Sequence, residues 1–153
     1  MPPLSFSGLT LTVTTDAVAY ARRHTARILQ HWNFPDEDIE IARLIVSELI
    51  ANAIRHARPE ASTVNADVGY VGLGTVGLKL RPTDPGVLVA VSDQDHRSPT
   101  RRSGDSSAVG GRGLFLTDAL ASRWGYCLAD SHSGKIVWAE IANYLKVTST
   151  PLT

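Results

Sequence analysis

Apolar residues recur with two different periods in the first thirty residues, and these periods predict a strand followed by a helix. Apolar and hydroxyl residues alternate over residues 9–13, which is the period of a short strand that suits the edge of a sheet. Thr15 and Asp16 then offer a helix N-cap, and apolar residues at helical spacing continue to about His31. The chain therefore begins with a β–α unit.

A second helix is predicted to begin at Pro35. The residues Pro-Asp-Glu-Asp form a favourable first turn, because proline tolerates the first helical position and acids lie at the positive end of the helix dipole. The helix should end near Arg58, since Pro59 follows and disfavours helical backbone in the residue before it.

A polar pair interrupts the apolar pattern of this second helix. Successive steps of about 100° put Glu48 and Asn52 one turn apart on a stripe that also carries Ile41 and Ile45. Buried polar groups must be hydrogen-bonded or face a cavity that a ligand fills, so the pair predicts the floor of a polar pocket. The alternative is structural: Glu48 would pair with Arg55 or His56, and Asn52 would cap a neighbouring loop.

The rest of the chain changes to the period of strands. Predicted strands cover residues 63–71, 75–80, 87–92, 124–129 and 135–141, and a short helix covers 114–121. Residues 93–109 are polar, without periodicity and too long for an ordinary connection, which is typical of a functional lid. These elements predict an α+β fold: a two-layer sandwich of a mixed, mostly antiparallel sheet covered on one face by about three helices.

Composition narrows the class of protein. With 153 residues the chain is predicted to be one domain, 1–153, with about eight N-terminal and about six C-terminal residues frayed. The net charge of zero argues against direct binding to nucleic acid or to a membrane surface. The single Cys127 excludes an internal disulfide. Without a leader or a membrane-spanning run, the expected location is the cytoplasm.

Two further segments carry candidate chemistry. Asp93 ends a strand that has the pattern of a buried one, where a structural aspartate would form an Asx-turn and a functional one would bind a ligand donor. The glycine-rich run 110–113 precedes a helix, and glycine there lets backbone amides approach a phosphate closely. A plain flexible loop is the structural reading of the same glycines.

These segments together resemble one family. Glu48-Leu-x-x-Asn52-Ala-x-x-His56-Ala is similar to the N-box of the GHKL ATPases, which include DNA gyrase, sensor histidine kinases and the anti-sigma-factor kinases. Asp93 and the run Gly-Gly-Arg-Gly-Leu-Phe-Leu resemble the family's adenine box and second glycine box, in the same order. From about Asp16 to Ile141 the chain resembles the small actinobacterial-type branch of anti-sigma-factor serine/threonine kinases, which implies the Bergerat-type ATP-binding fold.

The resemblance implies ATP and Mg²⁺ as cofactors and gives each residue a role. Asn52 would ligate Mg²⁺, Glu48 would orient or deprotonate the nucleophile, and Asp93 would accept a hydrogen bond from the adenine amino group. The triphosphate would be enclosed by Gly111, Arg112, Gly113 and Leu114.

The implied function is regulatory. The protein would phosphorylate a serine or threonine of an antagonist protein of the anti-anti-sigma type, sequester a sigma factor, or do both, with a homodimer as one assembly that the resemblance allows. The alternative is a catalytically weak, nucleotide-responsive binding module of the same fold. Asp95 favours the alternative, because it stands where the family's adenine box has glycine. A histidine kinase is less favoured, since nothing here resembles a phosphoaccepting histidine in a dimerisation helix.

Overall fold

A computed structural model describes residues 6–64, 74–93, 116–128 and 134–142, with only the backbone described for 56–64. In chain order the elements are β1 Ser7–Thr12, α1 Ala17–His31, α2 Asp36–Val64, β2 Thr75–Pro82, β3 Gly86–Asp93, α3 (116–120), β4 Arg123–Leu128 and β5 Lys135–Ala142. The α+β class is as predicted.

The described strands form a five-stranded sheet in the order β1-β2-β3-β5-β4, and every neighbouring pair is antiparallel. The first strand lies at an edge, as its alternating pattern predicts. Helix α2 packs against the central strands β3 and β5 and against β2, while α1 packs on α2 and β1. None of the helices in the described ranges is both long enough and apolar enough to cross a membrane.

The helix-facing side of the sheet is built from alternate residues of its central strands. On β3 the buried positions include Val89 and Val91, and on β5 they include Val137 and Ala139. Strand alternation sends every second side chain to the same face, so the next residues on these two inward rows are Asp93 and Lys135. The apolar core therefore ends in a pair of charged residues.

Helix α1 ends in a complete capping motif. The amide of Asn33, at a φ of 64°, donates to the carbonyl of Gln30 at 2.9 Å, and the amide of Phe34 donates to that of Leu29 at 3.0 Å. This is the Schellman arrangement, with asparagine in the left-handed position. At the other end Asp16 occupies the N-cap as predicted, but its side chain forms no capping hydrogen bond.

The first turn of α2 is less favourable than its acidic sequence suggests. In a capping box, an acidic third residue of the helix accepts from the backbone N–H of the cap, but here the cap is Pro35, which has no N–H. Asp38 is buried, and its Oδ2 atom has no hydrogen-bond partner among the described residues. Burial raises the pKa of the Asp38 carboxyl, and the neighbouring Glu37 raises it further.

The predicted end of α2 is wrong. Its backbone remains helical through Pro59 as far as Val64, so residues 63–64 of the predicted strand 63–71 belong to the helix. Proline in a helix interior removes a hydrogen bond and clashes with a preceding carbonyl, but this cost does not compel a helix to end. Residues 65–71 of that predicted strand lie outside the described ranges, as do 94–109 of the predicted lid.

Candidate functional site

Helix α2 holds the polar pair that the sequence singled out. Its buried stripe contains Ala42, Val46, Leu49 and Ala53, each no more than 3% exposed. Asn52 lies at the margin of this stripe and is buried with it, whereas Glu48, one turn earlier, is half-buried. The helix thus presents an amide and a carboxylate along one border of its buried face.

The side-chain oxygen of Asn52 has an unmet hydrogen-bonding requirement. Oδ1 of Asn52 is buried and has no hydrogen-bond partner among the described residues. A buried amide oxygen without a partner costs about 1 to 3 kcal/mol. A loop cap through this oxygen is therefore absent among the described residues, and the atom is open to a ligand. An amide oxygen is a suitable donor for a hard cation such as Mg²⁺.

The structural alternative for Glu48 is an ion pair with Arg55 or His56 on the same helix. No ion pair joins Glu48 to Arg55, although both side chains lie within the described part of α2. Among the described side chains of this helix, an exposed ion pair joins Arg43 to Glu40 at 2.9 Å. The side chain of His56 is not among those described, so pairing with it stays a prediction. Glu48 is therefore not held by its predicted arginine partner.

Asp93 lies at the end of β3 on the helix-facing side of the sheet. It is 4% exposed and directly opposite Lys135 of β5 in the sheet register. The Nζ atom of Lys135 is 3.2 Å from Oδ2 and 3.3 Å from Oδ1 of Asp93. The predicted adenine-binding carboxylate is thus part of a buried ion pair.

Lys135 is the residue of this site that the sequence analysis missed. Its place in the pattern could have revealed it, because Lys135 shares the parity of Val137, Ala139 and Ile141 and must point inward with them. A lysine on an inward row needs a nearby carboxylate. The identity of that carboxylate depends on strand register, which the pattern of one segment does not contain.

The remaining predicted site residues are not described. Gly111, Arg112, Gly113 and Leu114 lie outside the described ranges, as do Asp95 and the arginines of the predicted lid. The described chain resumes at 116–120, where Thr117 is fully buried and its Oγ1 atom has no partner among the described residues. A second unpaired buried oxygen therefore follows the glycine box.

The sequence matches the model of one known protein family over most of its length. The model of the histidine kinase-like ATPase domain matches residues 11–141. The chain belongs to this family. Asn52 and Asp93 both lie in the matched region, as do Glu48 and the glycine box. No match was found among curated proteins.

Two solved structures share the fold of this chain. The chain is similar to the structure of the RsbU and RsbW domains of a Mycobacterium tuberculosis protein, with a TM-score of 0.60 and 19% identity over 92% of this chain. It spans about a third, 33%, of the length of the chain in that structure. The SiaB–SiaC complex of Pseudomonas aeruginosa gives a TM-score of 0.62 at 10% identity, covering 87% of both chains.

Proposed function

We propose that this chain binds Mg-ATP and acts as a serine/threonine protein kinase of the anti-sigma-factor type. The observation that carries the proposal is the buried, unpaired oxygen of Asn52, one turn from Glu48 in a chain of the histidine kinase-like ATPase family. A buried oxygen without a partner destabilises the protein when no ligand is bound. A ligand that bonds to it would remove this cost.

Asn52 would hold Mg²⁺ through Oδ1. Mg²⁺ accepts few protein ligands and completes its shell with triphosphate oxygens and water. No cluster of three or more acidic, histidine or cysteine side chains suited to a metal is present among the described residues. A single amide oxygen is enough for a metal that arrives with its nucleotide.

Glu48 would act on the nucleophile. A half-buried carboxylate without its predicted arginine partner can accept a proton from, or orient, the water or protein hydroxyl that attacks the γ-phosphate. Asp93 would accept a hydrogen bond from the adenine amino group. Gly111, Arg112, Gly113 and Leu114 would enclose the triphosphate with their backbone amides and with the arginine charge.

The acceptor of the phosphoryl group would be a serine or threonine of an antagonist protein, and a sigma factor would be the alternate partner. Support comes from the similarity to SiaB, whose structure was solved in complex with a second protein, SiaC. Asp95 favours a weaker enzyme, since a second carboxylate near a polyphosphate opposes binding unless lid arginines offset it. We expect slow intrinsic hydrolysis, with appreciable transfer only to a docked protein.

Calorimetry with ATP, ADP and GTP, each with and without Mg²⁺, tests the binding proposal. We expect ATP and ADP to bind in the micromolar to millimolar range when Mg²⁺ is present, and GTP to bind more weakly. Absence of heat and of a thermal shift with millimolar Mg-ATP, in folded protein, would exclude the nucleotide assignment.

Transfer from ATP labelled on its γ-phosphate to candidate antagonist proteins distinguishes a kinase from a binding module. Glu48→Ala should keep ATP affinity and lose transfer, because only the activation of the nucleophile is removed. Glu40→Ala, an exposed glutamate on the same helix, is the matched control and should change neither. Loss of ATP binding in a stable Glu48→Ala protein would contradict the assigned role.

A further inference from the structure

The ion pair between Asp93 and Lys135 is almost completely buried, although ion pairs that only support a fold usually lie near the surface. The two side chains are 2% and 1% exposed, respectively, at the position where the inward rows of β3 and β5 end. Neighbouring positions on the same rows are filled by Val91 and Val137. Apolar residues of similar volume would continue that core without taking two charges out of water.

Buried ion pairs seldom stabilise a fold more than apolar replacements do. Desolvation costs several kcal/mol per ion, and swapping a whole pair for well-packed apolar residues is often neutral or stabilising. Removing one partner is different, since it leaves an uncompensated charge. Stability alone therefore does not account for a charged pair at this position, and an ammonium this close favours the ionised form of the carboxylate.

An ionised carboxylate can only accept hydrogen bonds, whereas a protonated one can also donate. Adenine presents an amino donor at its 6-position. Hypoxanthine and guanine present a carbonyl acceptor there. A carboxylate that cannot donate therefore distinguishes these bases by the direction of one hydrogen bond, and a mismatch leaves two acceptors facing each other.

We propose that Lys135 is a positioning residue for base selection, which holds Asp93 as an obligate acceptor so that the site takes a 6-amino purine and rejects a 6-oxo purine. This inference rests on the proposed function, because it assumes that the base lies at Asp93. Lys135 acts through Asp93, with its ammonium within 3.3 Å of both carboxylate oxygens.

The test compares the affinities of ATP and ITP, which differ at the base edge alone. Wild-type protein should prefer ATP by at least about tenfold, the equivalent of about 1.4 kcal/mol. In Lys135→Met the ammonium that faces both oxygens of Asp93 is removed, which favours the protonated form of this buried carboxyl, so the preference should fall towards parity. Lys79→Met removes an exposed lysine of β2 and should leave the ratio unchanged.

A double variant covers the case in which Lys135→Met does not fold. Asp93→Asn with Lys135→Met removes both charges together, and the amide can donate or accept, so this protein should also bind ATP and ITP about equally. If both variants bind ATP with the wild-type ratio, Lys135 has only a structural role and the inference is wrong. Equal binding of ATP and ITP by wild-type protein contradicts it as well. Binding of neither nucleotide by wild-type protein overturns the proposed function, and this inference with it.

Discussion

Two buried polar side chains meet the cost of burial in different ways. Asp93 has a cation opposite it, whereas Oδ1 of Asn52 has no partner among the described residues. A protein interior normally satisfies such atoms, because each unsatisfied one lowers stability. The difference between the two residues matters for the proposed function: Asp93 is paired within the fold, whereas Asn52 Oδ1 would be satisfied by the proposed metal ion.

Asn52→Leu should separate folding from function. Leucine has a similar volume and no buried oxygen, so the variant without nucleotide should be as stable as wild type or more stable by about 1 to 2 kcal/mol. Mg-ATP binding should be lost at the same time. Urea denaturation and calorimetry measure the two effects. A large loss of stability without nucleotide would show instead that the amide has a structural partner.

At the scale of elements, the hydrophobic period predicts which segments form strands and helices better than it predicts where each element ends. The five described strands and the two long helices lie where the pattern places them, because alternation and helical spacing are properties of each segment alone. The end of α2 was missed, since the preference of a residue before proline is a bias that a long helix can override. In the site, Asn52 is visible as a polar residue on an apolar stripe, whereas the partnership of Lys135 requires register.

A cross-element contact ties the edge strand β1 to α1 and should respond to pH. Ser7 Oγ and His24 Nε2 are 2.8 Å apart, and burial, together with the nearby Arg27, lowers the pKa of His24. The unfolded chain then binds the proton more readily than the folded one, so stability is full above the ordinary histidine pKa and falls as pH drops through it.

His24→Gln should flatten this dependence between pH 7.5 and pH 5.5, values chosen about one unit either side of the ordinary histidine pKa. Ser7→Ala should retain much of it, because the titrating ring remains. Urea denaturation at both pH values is the measurement. An equal slope in His24→Gln and wild type would assign the acid sensitivity to another group.

The start of β3 requires a glycine where it approaches β5. A Cβ atom at Gly86 would collide with the backbone carbonyl of Ile141 on the neighbouring strand β5, and backbone cannot rotate away as a side chain can. We expect Gly86→Ala to destabilise the protein by about 1 to 3 kcal/mol or more. Gly8→Ala is the matched control, since nothing lies within 4 Å of the added atom. Equal stability of the two variants would contradict the close approach of β3 to β5 at this glycine.

At the scale of the molecule, one apolar cluster joins both layers. Residues of α1, α2, β1, β2, β3 and β5 all contribute to it. Shared burial couples these elements, so each loses its packing when another unfolds. If the chain is one domain as predicted, these elements should therefore unfold together.

Unfolding should be a single cooperative transition that Mg-ATP moves to higher denaturant. Trp32 and Trp124 pack against the cluster from opposite ends of the chain, so fluorescence should change together with far-UV circular dichroism. Ligand should add about 2.7 kcal/mol at a hundredfold excess over its dissociation constant. Separate transitions in the two signals would show that the chain unfolds in parts.

The lone cysteine of the chain gives this molecule a ready attachment point for a reporter. Cys127 is exposed on β4, opposite Ile136 in register, and alternation places it on the reverse side of the sheet from Lys135. A thiol-reactive dye would label one position without mutagenesis, on the face of the sheet opposite Lys135. Its emission could follow the arrival of nucleotide in real time at the strand next to the one that carries Lys135.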